Sequence, residues 1–411
     1  MDTKQVVIIG GGASGLVAAI AAARKGAEVC IIEKMDRIGK KILATGNGRC
    51  NMTNLNEQII NCYKSDQAFI KKVISGFNVD ETIEFFYMLG ILHKTETEGR
   101  VYPYSNQASS LLDVLRMEIK RLNVTVIYNN PVVGLKAKPN KFNIRLKDKT
   151  ILEAGAVIIA CGGKAGPQFG CHGDGFKLAE SLGHSVVTPE PALVQMICDE
   201  WYNKRLKGVR VKGNAKLWCE EKIIAESQGE IQFTEDGLSG ICIFDISRNV
   251  HTCIKKRKKC SVLMDLFPGY TFDELKSIFQ KRLFYSRYKT NEEFLTGLVN
   301  KRLIPVILKL SAVEKPDSSC STLTSKQIDR MIHTFKEWKI PVKDTRSWEH
   351  AQVTAGGIDT KEIDPQTMGS IKIPGLFFAG EIINVDGICG GYNLQWAWST
   401  GYIAGENAAI K

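Results

Sequence analysis

An α/β fold is predicted, built on a dinucleotide-binding domain whose two halves lie at opposite ends of the chain. Two stretches carry that expectation. The first is Val6-Val7-Ile8-Ile9-Gly10-Gly11-Gly12-Ala13-Ser14-Gly15, an apolar strand running into a glycine turn that opens a helix. The second lies in the last sixth of the chain. There Gly375-Leu376-Phe377-Phe378-Ala379-Gly380-Glu381 and Gly390-Gly391-Tyr392-Asn393 repeat the order of strand, glycine turn and helix. Between them the pattern changes to short alternating strands from about residue 189 and to helical periodicity from 271, so further domains are inserted between the halves.

In the first stretch, Gly10, Gly12 and Gly15 stand at the spacing of a dinucleotide fingerprint. The first permits the tight turn, the second lets backbone approach a pyrophosphate, and the third lets helix and strand pack closely. The helix start, with Ala13 and Ser14, offers unpaired N–H groups and a partial positive charge to phosphate. A second apolar strand, Glu28 to Ile32, ends on Glu33, 18 residues after Gly15. An acid there accepts both hydroxyls of an adenosine ribose and repels a 2′-phosphate.

The polar stretch Thr45-Gly46-Asn47-Gly48-Arg49-Cys50-Asn51-Met52-Thr53-Asn54 has little to bury and reads as a loop wrapped around a cofactor. Residues 69–89 read as helical, and 111–122 as an amphipathic helix with Leu111, Leu112, Leu115 and Ile119 on one face. A strand is expected at 124–128 and an antiparallel meander over 132–157. The meander closes on Val157-Ile158-Ile159-Ala160 and then Cys161-Gly162-Gly163, small residues that let backbone approach a ligand, so Gly162 joins the candidate cofactor contacts. Residues 207–265 read as β-rich, with turns at Gly213-Asn214, Gly229 and Asp236-Gly237. Thr271 with Glu274, and Thr324 with Gln327, form capping boxes ahead of helical stripes. In the C-terminal helix Ala397, Gly401 and Gly405 are four apart, a small-residue stripe that lets it lie close against a neighbour.

With 44% hydrophobic and 24% charged residues, the composition is that of an ordinary soluble protein. No apolar run approaches the ~20 residues of a membrane helix, and no signal peptide is read, so a cytoplasmic location is expected. The twelve cysteines contain no Cys-x-x-Cys pair and read as reduced thiols. The six histidines are isolated, and no metal site is expected. A net charge of +11 favours an anionic partner. The densest basic run, Lys255-Lys256-Arg257-Lys258-Lys259, reads as a solvated turn: no aromatic residues interleave with its charges, so a nucleic-acid partner is not expected from it.

Three motifs carry a resemblance to a known family. The Gly10–Gly15 turn, Thr45 to Asn51, and Gly380-Glu381 with Gly390-Gly391-Tyr392-Asn393-Leu394-Gln395 resemble those of the FAD flavoproteins that include aminoacetone oxidase and the 3-dehydro-bile-acid delta-4,6-reductase of bile-acid 7-dehydroxylating bacteria. Gly99-Arg100-Val101-Tyr102-Pro103 and Gly237-Leu238-Ser239-Gly240 match the same pattern, and the likeness covers the whole chain. Many members carry histidine and proline around the latter motif. Here it reads Phe233-Thr234-Glu235-Asp236-Gly237-Leu238-Ser239-Gly240-Ile241, so no histidine role carries over.

The resemblance implies a glutathione-reductase-like FAD-binding Rossmann domain, discontinuous over 1–188 and 347–411. It also implies a β-rich substrate domain over 189–270 and 339–346, and a small helical cap domain over 271–338. The cofactor is then FAD, bound tightly without a covalent link. Gly10, Gly12, Ala13, Ser14 and Gly15 hold the pyrophosphate, and Glu33 the adenosine ribose. Lys34 and Lys41 lie near the adenosine and phosphate end, and Val133 meets the adenine. Asn47, Gly48, Arg49, Cys50 and Asn51 face the ribityl chain and flavin, and Gly380, Glu381 and Asp386 line the ribityl chain. Gly391, Asn393 and Leu394 bring a helix N-terminus to flavin N1 and the C2 carbonyl, where reduced flavin carries negative charge.

Cys161 to Gly166 follows a strand but lacks the fingerprint spacing, so no dedicated NAD(P)H domain or disulfide substrate is expected. The leading expectation is an FAD-dependent oxidoreductase that reduces a C=C bond conjugated to a ketone, with NAD(P)H as a transient donor and a 3-oxo-delta-4,6 bile acid or steroid as substrate. The partner is then a small molecule, apolar or anionic. Tyr392 is the candidate proton donor by its expected nearness to the flavin, with core packing as its alternative role. Two rival readings are an amine oxidase of the aminoacetone type using oxygen, and a flavoprotein that acts on or binds RNA. The sequence leaves oligomeric state open.

Overall fold

Alternating apolar strands and helices at both ends of the chain give a parallel sheet, as a βα repeat requires. The computed structural model describes residues 4–410. It divides into two units, Met1–Pro191 with Ala351–Lys411, and Ala192–His350.

Along the first unit run strands β1 (Gln5–Ile9), β2 (Glu28–Ile32), β3 (Thr125–Ile127), β4 (Val132–Lys138), β5 (Lys141–Leu146), β6 (Ile151–Ala154), β7 (Ala156–Ile159) and, from the far end of the sequence, β8 (Leu376–Phe378). The central sheet has the order β8-β7-β1-β2-β3, with every pair parallel. β4, β5 and β6 form a separate antiparallel sheet. The expected meander therefore ends one strand early: the Ala156–Ile159 segment belongs to the parallel sheet. All four of its residues are buried, the continuous apolar pattern of a strand covered on both faces.

Helix α1 (Ala13–Arg24) follows β1, and helix α2 (Tyr392–Ala408) closes the chain. α1 is apolar nearly all round and buries Leu16, Val17, Ala18, Ala19, Ile20, Ala21 and Ala22, as a helix covered on several sides must. The small-residue stripe of α2 lies on α1. A Cβ added at Gly401 would stand 2.4 Å from the Ser14 carbonyl oxygen, and one at Gly405 2.3 Å from that of Ala18. The helix expected over 69–89 is two helices, Gln67–Gly76 and Val79–Met88. Asn78 breaks it by capping the second in a box with Glu81.

The second unit holds a seven-stranded antiparallel sheet in the order Trp338–Val342, Cys260–Asp265, Arg210–Cys219, Lys222–Phe233, Gly237–Ser239, Met196–Ile197, Asp344–Thr345. Gly213 and Gly229 are not turns. They pair with each other in the middle of the two longest strands. A Cβ on Gly213 would stand 2.5 Å from the Asp265 carbonyl oxygen, so glycine here serves close strand approach. A second correction concerns Ile241–Lys255, which is a 15-residue helix burying Cys242, Ile243, Ile246, Val250 and Cys253; the basic run begins at its C-terminal end. A four-residue apolar window at 241–244 does not separate strand from helix, and the i, i+4 spacing further on decides it. The capping boxes at Thr271 and Thr324 form, starting helices Phe272–Tyr285 and Ser325–Glu337. Leu275, Phe279, Met331 and Phe335 from these helices share one apolar cluster with Leu217, Ile231 and Val262 of the sheet.

Candidate cofactor and active site

The site follows from strand register. Ile9 pairs with Ile32 on one side and Ile159 on the other, Ile159 pairs with Phe378, and Ile32 with Ile127. The carboxyl ends of β1, β2, β7 and β8 therefore stand level, and Gly10, Glu33, Ala160 and Ala379 leave the sheet side by side. The crevice outside such strand ends is where open parallel sheets bind ligands.

The glycine turn is built tightly on one side and open on the other. A Cβ on Gly10 would stand 2.6 Å from the Ala160 carbonyl oxygen and one on Gly15 2.0 Å from that of Gly10, yet a Cβ on Gly12 would meet nothing within 4 Å. Gly12 is the N-cap of α1, with no side-chain cap, so the first N–H groups of α1 lack a capping acceptor. Glu33 holds this turn from β2: its Oε2 accepts the Gly11 N–H at 2.9 Å and its Oε1 the Met35 N–H at 2.9 Å. Each oxygen keeps a lone pair for a further donor.

Val133 is a bulge residue. Val132 pairs with Leu146 and Gly134 with Arg145, so Val133 is skipped by the ladder, and its side chain is 48% exposed. A bulge leaves its extra residue's backbone groups unpaired. Lys34 lies 2.5 Å from Asp174, and Lys41 2.7 Å from Glu381. Burial pulls the Lys41 ammonium down, but the Glu381 carboxylate outweighs it and holds Lys41 above its usual value. The other Glu381 oxygen accepts the Thr354 N–H at 2.8 Å.

The loop expected to wrap a cofactor, residues 45–54, follows a short helix, Lys40–Ala44, and begins with a 3-10 turn, Thr45–Gly48; Gly46, Asn47, Gly48 and Cys50 have positive φ. Its side chains divide. Arg49 turns to Glu96 and to the Asn106 Oδ1, with its guanidinium 4.1 Å over the Tyr102 ring. The Cys50 thiol is fully buried, which pushes its pKa up to about 12 and keeps it protonated. Asn51 presents a buried Oδ1 with no protein donor, 2.9 Å from where a Cβ on Gly391 would stand.

At the other end, Gly391 caps α2 with φ +99° and backs onto the Thr53 carbonyl. Asn393 uses its side chain to clasp Gly387: its Oδ1 accepts the Gly387 N–H at 2.9 Å and its Nδ2 donates to the Gly387 carbonyl at 2.8 Å. That fixes the buried strand Asp386–Gly387 against the helix start, where Leu394 is half-buried. Gly380 donates its N–H to Thr400 Oγ1, and its carbonyl accepts from Trp396 Nε1. Gly162, at φ +67°, opens the loop after β7. Tyr392 is 5% exposed. Its hydroxyl meets Asn56 Nδ2 at 3.3 Å, its carbonyl accepts from Tyr63, and burial raises its pKa to about 12, so the phenol stays protonated through neutral pH.

Two further groups hold the site together, and no role was expected for either from the sequence. Thr354 Oγ1 accepts the N–H of Lys164 at 2.8 Å and of Ala165 at 3.0 Å, clamping the loop that contains Gly162. Gln395, fully buried, accepts from Thr53 Oγ1 and donates to Thr82 Oγ1 and, within α2, to Ser399 Oγ, tying α2 to two separate segments.

The family described as HI0933-like protein Rossmann domain matches residues 4–407. The chain belongs to this family. The match spans both glycine-rich ends, the fold is an FAD-binding Rossmann fold, and this HI0933-like protein is an FAD-dependent oxidoreductase. It is 42% identical over 411 residues to the 3-dehydro-bile acid delta(4,6)-reductase of Clostridium scindens, covering 99% of this chain and 100% of that one. It is 28% identical over 411 residues to the ribosomal RNA dihydrouridine synthase of Escherichia coli, covering 99% and 98%. Among solved structures it resembles the 3-ketosteroid delta1-dehydrogenase of Sterolibacterium denitrificans, with a TM-score of 0.56 at 12% identity and full coverage of both chains. Among the described residues no helix is long and apolar enough to cross a membrane.

Proposed function

We propose that this HI0933-like protein reduces a C=C bond conjugated to a ketone, with NAD(P)H as transient donor and a 3-oxo-delta-4,6 bile acid or a steroid of that shape as substrate. The observation that carries the reading is the full-length, 42% identity to a reductase so named. Bound FAD would supply the hydride chemistry.

The residues present fit FAD. The open face at Gly12, the free lone pairs of Glu33, the unpaired bulge at Val133 and the orphaned Asn51 Oδ1 match a ligand with anionic, hydroxyl, heteroaromatic and donor parts. In this reading the backbone of Gly10, Gly12, Ala13, Ser14 and Gly15 holds the pyrophosphate, and Glu33 the ribose. Val133 meets the adenine through its backbone, with Lys34 and Lys41 toward the adenosine and phosphates. Asn47, Gly48, Arg49, Cys50, Asn51, Gly162, Gly380, Glu381 and Asp386 line the path toward the flavin. Arg49 and Cys50 take part through backbone, since their side chains are engaged elsewhere. The start of α2 at Gly391, Asn393 and Leu394 directs its positive end at the reducible ring. Tyr392 supports that start by packing.

Stopped-flow mixing without oxygen tests the reading. NADH or NADPH should bleach the flavin, and a 3-oxo-4,6-diene steroid acid should restore its colour faster than buffer alone. Bleaching by aminoacetone with no nicotinamide would sink the reductase reading in favour of the amine oxidase.

A second reading, an RNA-directed flavoprotein, is favoured by the +11 net charge and by the name of the 28% relative. A uracil ring carries the same conjugated C=C–C=O unit, so the chemistry would be unchanged and only the substrate would differ.

A further inference from the structure

The second unit carries a surface that neither the flavin site nor the fold requires. Helix Phe272–Tyr285 buries Leu275 and Phe279, and its last turn runs into Ser286-Arg287-Tyr288-Lys289. There Phe284, Tyr285 and Tyr288 are 67%, 75% and 82% exposed. Lys281, Arg287 and Lys289 interleave with them, and none is ion-paired among the described residues. Arg287 lies 5.9 Å from the Phe284 ring centre and Lys289 5.9 Å from that of Tyr288. The following acids, Glu292 and Glu293, open the next helix, where Glu293 caps Thr290.

The exposed rings are not on a loose segment. The Ser286 N–H donates to Arg282, Ser319 Oγ donates to the Arg287 carbonyl at 2.9 Å, and the Cys320 N–H donates to the Lys289 carbonyl at 2.9 Å. Arg282 is itself consumed in anchoring, donating to the carbonyls of Phe294 and Thr296. The backbone is thus satisfied from within, and the rings and cations are held outward on a fixed frame.

We propose that this tip, residues 281–289, is a contact surface for single-stranded nucleic acid. A base stacked on an exposed ring would place its phosphate beside the adjacent cation, the combination that sequence-tolerant single-strand binders use. The charge is complementary: three cations with no ion pair among the described residues, on a chain of net charge +11, favour an anionic partner. A bilayer fits less well: the cations alternate with the rings instead of rimming an apolar face, and only Phe284 offers a large ring without a hydroxyl. The inference stands on this surface alone and holds whichever enone the flavin site reduces.

Fluorescence anisotropy with the FAD-loaded protein and a labelled uridine-rich 12-mer tests it. Binding is expected at low salt and should weaken as salt rises. K281S/R287S/K289S should lower the slope of log affinity against log salt by about 2, at ~0.7 per phosphate contact on a single strand. Y285A and Y288A should each weaken binding by about tenfold or more. All these positions are on the surface, so flavin content and melting temperature should match the parent protein. The proposal is overturned if the parent does not bind the oligomer at low salt, if the variants bind as the parent does, or if only phosphatidylserine vesicles are bound. Loss of steroid turnover with RNA binding intact would overturn the reading of the flavin site and leave this surface in place.

Discussion

Gly401 packs directly on the main chain of Ser14, so that the C-terminal helix α2 and helix α1 share a contact with no room for a methyl group. The contact joins residues nearly 400 positions apart and holds together the two halves of one cofactor domain. Gly401→Ala is expected to force α1 and α2 apart, at about 1–3 kcal/mol, the usual range for overpacking. Because α1 carries the glycine turn, FAD should be released at a lower temperature as well. A thermal scan followed by both circular dichroism and flavin fluorescence checks this, and an unchanged melting temperature would contradict the packing.

Glu33 is expected to serve the cofactor and the turn at once. Glu33→Gln keeps the size but loses the charge, and it turns one acceptor into a donor facing the N–H of Gly11 or Met35. Hydrogen bonds to a charged group contribute about 1.5–3 kcal/mol, so FAD affinity should fall roughly 10- to 100-fold. Titration of the apoprotein with FAD measures it. Retention of the parent affinity would remove Glu33 from the ribose.

These two positions also show what a sequence can reveal. Gly10 to Gly15 and Glu33 were legible because strand, turn, helix and acid follow one another within a single βαβ unit, where spacing encodes geometry. The roles of Thr354 and Gln395 were not, since Lys164 and Ala165 for the first, and Thr53 and Thr82 for the second, lie 189 or more positions away and only the folded chain brings them together. Gly213 and Gly229 misled for another reason: a glycine that permits close strand approach is indistinguishable, locally, from one that permits a turn. The 241–255 helix was hidden because its first four residues read equally well as a strand. The aromatic tip at 284–288 has no signature in sequence, because exposure cannot be read from helical periodicity when a frame outside the helix fixes it.

Acid stability should depend on Glu118. Its carboxylate is buried and held by Arg121 and Arg24, at 2.7 Å each, and Arg121 first and Arg24 next depress its pKa to about 2. A folded-state pKa below the ordinary value near 4.5 means a contribution that is complete above that value and lost as pH falls toward about 2. Glu118→Gln should therefore be less stable than the parent at pH 7, and the gap should close between pH 4.5 and 2. Urea melts at a series of pH values test the sign. A gap that stays constant with pH would rule out the carboxylate charge as its source.

Asn393 offers the sharpest test of the flavin end. Its side chain makes both hydrogen bonds of a clasp on Gly387, and its own main chain belongs to the first turn of α2. Asn393→Ala would free Asp386–Gly387 and let the helix start loosen without removing any side chain proposed to touch the ring. A helix N-terminus stabilises nearby negative charge by about 0.3–2 kcal/mol, and reduced flavin is the more negative form. Loss of alignment should make the two-electron potential more negative by roughly 6–43 mV, at 30 mV per 1.4 kcal/mol. Equilibration with a reference dye in the absence of oxygen reads that shift on the bound flavin, independently of any substrate. A potential equal to the parent's, with the clasp removed and FAD still bound, would place the helix start away from the flavin.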